Sequence, residues 1–297
     1  MIDKLEMFIA LARESHFGRA AESLGITQPS LSAGIKQLES QLGVQLVWRG
    51  SRYGGLTPEG ARVLEWARSI VGDVRTMKDE MRAVREGLSG NVRLAAVPTA
   101  LTMVAELTSA FAKEHPGVRF TILSRTSAEI LTMLENLEID GGVTYLDNEP
   151  LGKVTSVPMY RERYSVVCNA NSPMAERASV GWHELAGAPL CLLTQDMQNR
   201  RIINQNLAEA GVVPQPTIES NSTVVLVAHV ETGDWITILP HRLAGFLSAG
   251  KTLVRVPLDE PRKGHTLGMI AAARDPQTPV MTAILQMARK IGEREAD

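Results

Sequence analysis

The side chains in the first third of the chain with the most chemistry to offer are short, polar and crowded together. Thr27, Gln28, Ser30 and Ser32 surround Pro29, and the cations Arg19, Lys36, Arg49 and Arg52 flank them. Amide and hydroxyl side chains both donate and accept hydrogen bonds, so such a cluster can meet base edges and phosphates, with the cations adding phosphate contacts. Thr27 is placed to cap a helix and Pro29 falls in its first turn, where a missing N–H costs nothing. On spacing alone an ordinary helical hairpin on a protein surface fits as well.

The elements that must hold this cluster are short helices. Residues 2–14 predict a first helix with Leu5, Phe8, Ile9 and Ala12 facing inward. Ala20, Ala21 and Leu24 form a small apolar face, Gly25 permits a turn, and Leu31, Ile35, Leu38 and Leu42 recur at helical spacing. This is the pattern of a helix-turn-helix. Gly43, Gly50, Gly54 and Gly55 then bracket two short extended pieces carrying Arg49, Arg52 and Tyr53, a hairpin that sets Arg52 at its tip as a minor-groove or phosphate contact.

A long helix follows, capped by Thr57 with Pro58 at its first position. Val63, Ala67, Ile70, Val74, Met77, Met81, Val84 and Leu88 recur at alternating steps of four and three, with mostly charged residues between. Such a seam pairs with a copy of itself rather than with a broad core. Gly87, Ser89 and Gly90 end the helix.

The bulk numbers constrain the partners. The 297 residues suffice for two domains, and the net charge is −2. Residues 1–87 hold 12 Lys and Arg against 11 Asp and Glu. Nucleic-acid binding would therefore rest on local placement of Arg19, Lys36, Arg49 and Arg52 and on several copies acting together. The N-terminus has no secretory pattern, and no apolar stretch approaches the ~18 residues of a membrane span, which leads us to expect a cytoplasmic protein. Cys168 and Cys191 sit in apolar runs and read as buried structural thiols, with a redox pair as the alternative.

Beyond Gly90 short β-rich runs alternate with helical segments near 101–114, 127–138, 199–210, 222–232, 240–249 and 279–292. The alternation predicts an α/β domain with mainly parallel sheets. Hydroxyl and amide residues follow several strands: Thr99, Thr126-Ser127, Thr144-Tyr145, Thr194-Gln195 with Asn199, and Asn221-Ser222-Thr223. Each by itself reads as a helix cap. The six histidines lack metal-ligand spacing, and neither a nucleophile elbow nor a phosphate loop is present, so we expect no enzyme, no cofactor and no metal.

The first 60 residues resemble the DNA-binding domain of the LysR-type transcriptional regulators. The signature runs from Leu5-Phe8 through Phe17, Arg19-Ala20-Ala21, Leu24, Thr27-Gln28-Pro29-Ser30-Leu31-Ser32, Ile35, Leu38-Glu39, Leu42-Gly43, Leu46 and Arg49 to Leu56-Thr57-Pro58-Glu59-Gly60. Two departures stand out. Val47-Trp48 replaces the usual Leu-Phe, and Ala33-Gly34 replaces a longer polar pair, which implies fewer base contacts from that turn.

The resemblance implies a winged helix-turn-helix domain (1–58), a linker and dimerisation helix (59–89) and a two-lobed effector domain like a periplasmic binding protein (90–297). Lobe I would span about 90–161 and 267–297, and lobe II about 162–266. It also gathers the scattered polar loops into one cleft. Thr99, Ser127 and Thr144 would face an effector from one lobe, and Thr194, Gln195, Asn199 and Ser222 from the other. Leu137 and Trp235 stand where the family often has glycine, implying a different hinge and cleft floor.

The resemblance thus implies a regulator expected to bind operator DNA through Arg19, Thr27, Gln28, Pro29, Ser30, Ser32, Lys36, Arg49 and Arg52. Its expected partners are double-stranded DNA, a second copy in a homodimer or homotetramer, a small organic anion in the cleft, and RNA polymerase. The alternatives are a thiol-redox regulator using Cys168 and Cys191, and an effector-binding module or enzyme not acting on DNA.

Overall fold

The computed structural model describes residues 1–49, 53–147, 149–259 and 264–296. The chain divides into two compact units, Met1–Gly87 with 135–138 and 274–279, and the remainder.

In the first unit, α1 (Ile2–Glu14), α2 (Phe17–Ser23) and α3 (Gln28–Leu42) pack around Phe8, Leu11, Ala20, Leu31, Ile35 and Leu38, all buried. His16 caps α2, its Nδ1 accepting from the Arg19 N–H at 3.2 Å. Gly25, at φ +66°, makes the turn that only glycine adopts without strain. Thr27 caps α3 as its side chain accepts from the Ser30 N–H. Leu24 and Leu42, expected on the apolar faces, are instead 38% and 39% exposed, because each ends its helix and turns past the core.

β1 (Val47–Arg49) and β2 (Tyr53–Leu56) form the antiparallel wing. Its base is tied to α3 by buried Glu39, whose Oε1 accepts from the Leu46 N–H at 2.9 Å. The long helix α4 (Pro58–Glu86) begins at Thr57, whose Oγ1 accepts from the Gly60 N–H at 2.9 Å. Gly60 is required there, since a Cβ would collide with the Leu46 carbonyl.

The expectation that α4 cannot bury itself against a core needs correcting. Leu64, Ala67 and Val71 lie along one face and join the apolar cluster of the first unit. The seam occupies the neighbouring face, where Ile70, Met77, Met81 and Val84 remain exposed. Ala67 belongs to both rows, so the seam and the buried face overlap at the start of the helix and diverge along it.

In the second unit one sheet contains β3 (Gly90–Ala96), β4 (Val118–Ser124), β5 (Gly141–Tyr145), β6 (Val154–Glu162) and, much later, β12 (His265–Ala272), in the order β4-β3-β5-β12-β6. A second sheet runs β10-β7-β11, from β7 (Tyr164–Asn169), β10 (Thr237–Pro240) and β11 (Leu253–Pro257), while β8 (Cys191–Leu193) pairs with β9 (Ile218–Ser220). The helices are α5 (Leu101–Glu114), α6 (Ser127–Glu135), α7 (Gln198–Glu209), α8 (Thr223–Glu231), α9 (His241–Ser248) and α10 (Pro279–Ala296).

The sheets are mixed, not mainly parallel. β3, β4 and β5 are parallel, as are β8 and β9, whereas β12 runs antiparallel to β5 and β6, and β7 antiparallel to β10 and β11. Two lobes result, because the chain leaves the first sheet at Glu162, enters the second at Tyr164, and returns between Pro257 and His265. Strand β6 was hidden in the sequence by Pro158. A proline marks an edge strand, and β6 is the edge of its sheet.

Candidate DNA-reading helix and effector cleft

Helix α3 presents two opposed faces. Leu31, Gly34, Ile35 and Leu38 are buried, while Gln28, Pro29, Ser30, Ala33 and Lys36 are exposed and Ser32 is half-buried. Gln28, Ser32 and Lys36 stand four residues apart and so share one stripe. None of the three is bonded to a described residue, which leaves their donors and acceptors available. The Ser30 hydroxyl is differently placed, sharing a 2.8 Å hydrogen bond with Thr27 Oγ1 inside the cap.

Arg19 donates to the Glu14 carbonyl at 2.6 Å while staying exposed at the helix surface. The backbone of Arg49 pairs with Tyr53 in the wing. Arg52, expected at the hairpin tip, lies outside the described residues. Gly34 turns out to be a packing position, since a Cβ there would press on the Met7 sulfur. Packing against Met7 thus gives Gly34 a reason of its own, and the expectation of a lost base contact rests on Ala33 alone.

In the second unit the strand ends bring together Thr99, Ser127, Thr144 and Asn199, all buried. Thr126 and Glu129 cap α6 reciprocally, the Thr126 N–H donating to Glu129 Oε2 at 2.8 Å and the Glu129 N–H to Thr126 Oγ1 at 3.2 Å. That frees Ser127 to turn toward the other lobe. Thr144 Oγ1 donates to Ser127 Oγ at 3.0 Å, and Ser127 donates to Gln198 Oε1 on α7 at 2.5 Å.

Beside this chain of hydroxyls lies a buried carboxylate. Tyr145 Oη and Tyr164 Oη donate to Glu162 Oε2 at 2.7 and 2.6 Å. Asn199 Nδ2 donates to Tyr145 Oη at 3.1 Å, and Thr99 Oγ1 lies 3.4 Å from the same atom. Glu162 ends β6 and Tyr164 begins β7, so their bond spans one of the two crossovers between the lobes. Burial drives the Glu162 carboxyl up to about 7 against the hydrogen bonds of Tyr164, Tyr145 and Asn199, and Asp147 pushes it further up. The two phenols are likewise raised, chiefly by burial and then by the charge of Glu162.

Several buried polar atoms here have no partner among the described residues: Glu162 Oε1, Asn199 Oδ1, Gln198 Nε2 and Thr194 Oγ1. Each costs desolvation unless something meets it. Arg200, also buried, follows them on α7 but donates to the Leu193 carbonyl and Glu219, both at 2.5 Å.

Other expected contacts fall elsewhere. Gln195 is exposed and bonded only through its carbonyl, which accepts from Arg201. Ser222 precedes α8, half-buried and without a side-chain cap bond. Leu137, at φ +59°, packs on the apolar cluster of the first unit. Trp235 packs against the Leu226 and Val230 cluster of the second lobe rather than in the network.

Sequence reasoning missed Glu162, Tyr164 and Gln198. The only signal for the first two was an acid in the basic run Arg161–Arg163 directly before a buried strand. Cys168 and Cys191 are free and buried, with thiols pushed up by burial, Cys191 to about 11. Among the described residues no group of acids, histidines or cysteines could hold a metal ion, and no helix is long and apolar enough to cross a membrane.

Known proteins resemble this chain in sequence and fold. The profile of the bacterial regulatory helix-turn-helix protein, lysR family, matches residues 2–61, and that of the LysR substrate binding domain matches residues 85–292. The DNA-binding transcriptional dual regulator OxyR of Escherichia coli (strain K12) is 26% identical over 294 residues, covering 99% of this chain and 95% of its own. The uncharacterized HTH-type transcriptional regulator YbhD of the same organism is 29% identical over 270 residues, 91% of this chain and 84% of that one.

Among solved structures, a full-length OxyR variant from Pseudomonas aeruginosa superposes with a TM-score of 0.75 at 25% identity, covering 98% of this chain and 94% of that one. CbnR in complex with its target DNA shares the fold, with a TM-score of 0.63 at 20% identity and coverage of 98% and 99%. With a helix-turn-helix at its N-terminus and a two-lobed effector domain behind it, this chain belongs to the LysR family of transcriptional regulators.

Proposed function

We propose that this regulator works in the cytoplasm as a homo-oligomer, reads operator DNA with the exposed stripe of α3, and changes its grip when a small molecule occupies the cleft between the two lobes. The observation that carries the DNA-reading part is the division of α3, whose polar stripe of Gln28, Ser32 and Lys36 has no partner among the described residues while its opposite face is fully buried. Thr27, Pro29 and Ser30 shape the helix start, Arg19 supplies a cation at the helix surface, and Arg49, whose backbone lies in the wing, is a further candidate contact in this reading. Near neutrality of the whole domain makes a single copy a weak binder. The exposed seam at Ile70, Met77, Met81 and Val84 supports pairing of two α4 helices, which would set two recognition helices on two half-sites.

The effector acts through its differential affinity for lobe arrangements. Thr99, Ser127, Thr144 and Asn199 belong to its site in this reading, joined by Tyr145, Glu162, Tyr164 and Gln198. Gln195 and Ser222 are left outside the network. Thiol-redox sensing gains nothing from the geometry, because burial holds both thiols protonated and away from oxidants.

Selection of duplexes from a random-sequence pool, followed by anisotropy titrations across salt concentrations, tests the proposal. A recovered sequence should bind far more tightly than random DNA, with a steep salt slope. Failure to enrich any sequence would refute it.

A further inference from the structure

Helix α6 starts in one unit and ends in the other. Its first residue, Ser127, belongs to the second unit, and its last, Glu135, belongs with 136–138 to the first. At the start, Ser127 accepts from Thr144 at 3.0 Å and donates to Gln198 on α7 at 2.5 Å, so that end is bonded to the facing lobe. The helix is stiff for its nine residues, a span of about 13 Å. Thr126 and Glu129 close its first turn, and Ile130 and Leu134 are buried.

The turn that follows is fastened to α4. Asn136, 8% exposed, accepts at Oδ1 from Arg68 Nη2 at 2.5 Å, and the Leu137 carbonyl accepts from Arg75 Nη1 at 3.0 Å. Glu135 Oε2 lies 3.8 Å from Arg68 Nη1. Leu137 adopts φ +59°, a left-handed conformation rare for any residue but glycine. What leucine adds there is its side chain, which packs on the apolar cluster containing Leu64 and Val71 of α4 and holds the strained backbone in place. Arg68 and Arg75 are seven residues apart and share one face of α4, and the exposed seam of Met77, Met81 and Val84 lies on another.

We infer that α6 and the turn at 136–137 couple the cleft to the linker helix. A change of lobe arrangement that moves Ser127 with α7 is carried along α6 to Arg68 and Arg75 and shifts α4, and with it the recognition helix. The inference rests on the reading of the cleft as the effector site and of α3 as the DNA reader. Coupling is reciprocal, so DNA held by α3 must act on the start of α6 with the same free energy that an occupant of the cleft exerts on DNA binding. The duplex itself can therefore serve as the probe.

The test is hydrogen exchange of the full-length protein, read by mass spectrometry with and without a saturating duplex recovered by selection. In the native protein the duplex should change exchange at least about threefold in segments 126–135 and 197–209. Asn136→Ala combined with Leu137→Gly cuts the fastening from the turn, leaves α3 and α4 unaltered and suits the backbone at 137. This variant should bind the duplex within about threefold of the native affinity and lose the exchange response in both segments. Arg68→Ala combined with Arg75→Ala cuts the same fastening from α4 and should do likewise, so failure of one pair to fold leaves the other to decide.

An exchange response that survives the cut, or none in the native protein, would overturn the coupling route and leave the DNA-reading proposal standing. Loss of folding or of duplex binding in both variants would make these residues structural parts of the first unit and would also overturn it. Failure to enrich any duplex would remove the DNA-reading proposal and the inference together.

Discussion

Replacing Glu162 with glutamine should change the pH dependence of stability in a predictable way. The ordinary carboxyl value is 4.5 and burial moves it to about 7, so the folded unliganded protein holds a proton that the unfolded chain releases. Stability from this group is then fully present below the ordinary value and is lost as pH rises through the folded value. The loss works out at about 2.5 kcal/mol between about pH 5 and about pH 8.

Glutamine keeps an acceptor for Tyr145 and Tyr164 and does not titrate. Every other ionisable group is shared by the two proteins and cancels in their difference. The variant should therefore gain on the wild type by about 2.5 kcal/mol between the two pH values, roughly 5–10 °C in the melting temperature of a unit this size. Thermal and urea unfolding of both proteins at the two pH values read this directly. A stability difference that stays constant with pH would show that Glu162 is already ionised in the folded protein, and the burial argument would fall.

Other outcomes are expected of the first unit. Gln28→Ala and Ser32→Ala should each weaken binding to the selected duplex by ~1–3 kcal/mol and leave random-duplex binding unchanged in anisotropy titrations, whereas equal losses on both would mean these side chains only position the protein. Met81, 58% exposed on the seam, should give a monomer in analytical ultracentrifugation when changed to Asp, because two facing charges would enter a dry contact; an unchanged sedimentation coefficient would rule out the seam as the dimer contact. Glu39→Ala removes the acceptor from the Leu46 N–H at the base of the wing and should cost ~1–3 kcal/mol in urea unfolding of the first unit, with DNA affinity falling as the wing loosens.

Much of the first unit could be read in one dimension because its information is local. The turn at Gly25, the caps at Thr27 and Thr57 and the apolar steps of α3 and α4 all involve residues within one or two helical turns, where periodicity and capping chemistry decide the structure. Along α4 the same periodicity could not tell which of two adjacent apolar rows would be covered. Only packing placed Leu64 and Val71 inside and left Met81 and Val84 out. Gly34 shows the same limit, since its neighbour Met7 comes from another helix.

The cleft was legible as a set of strand ends and illegible as a site. Thr99 and Ser127 follow strands of one sheet and Thr144 lies at the end of a third, so topology alone carries them to one edge, and the family resemblance supplied the opposing loop. Glu162 carried no sign of its role, because what makes it unusual is the company of Tyr145 and Asn199, brought from 17 and 37 residues away. Its strand was masked by Pro158, a residue tolerated there only because β6 lies at an edge. Of the residues expected to reach across from the second lobe, Asn199 meets Tyr145 while Gln195 is exposed, and Gln198, where α7 begins, meets Ser127. Residue types along the chain determined that helices, strands and polar loops would form. Which buried atoms would be left without a partner was decided by tertiary contacts, because hydrogen-bond satisfaction depends on neighbours that are distant in sequence.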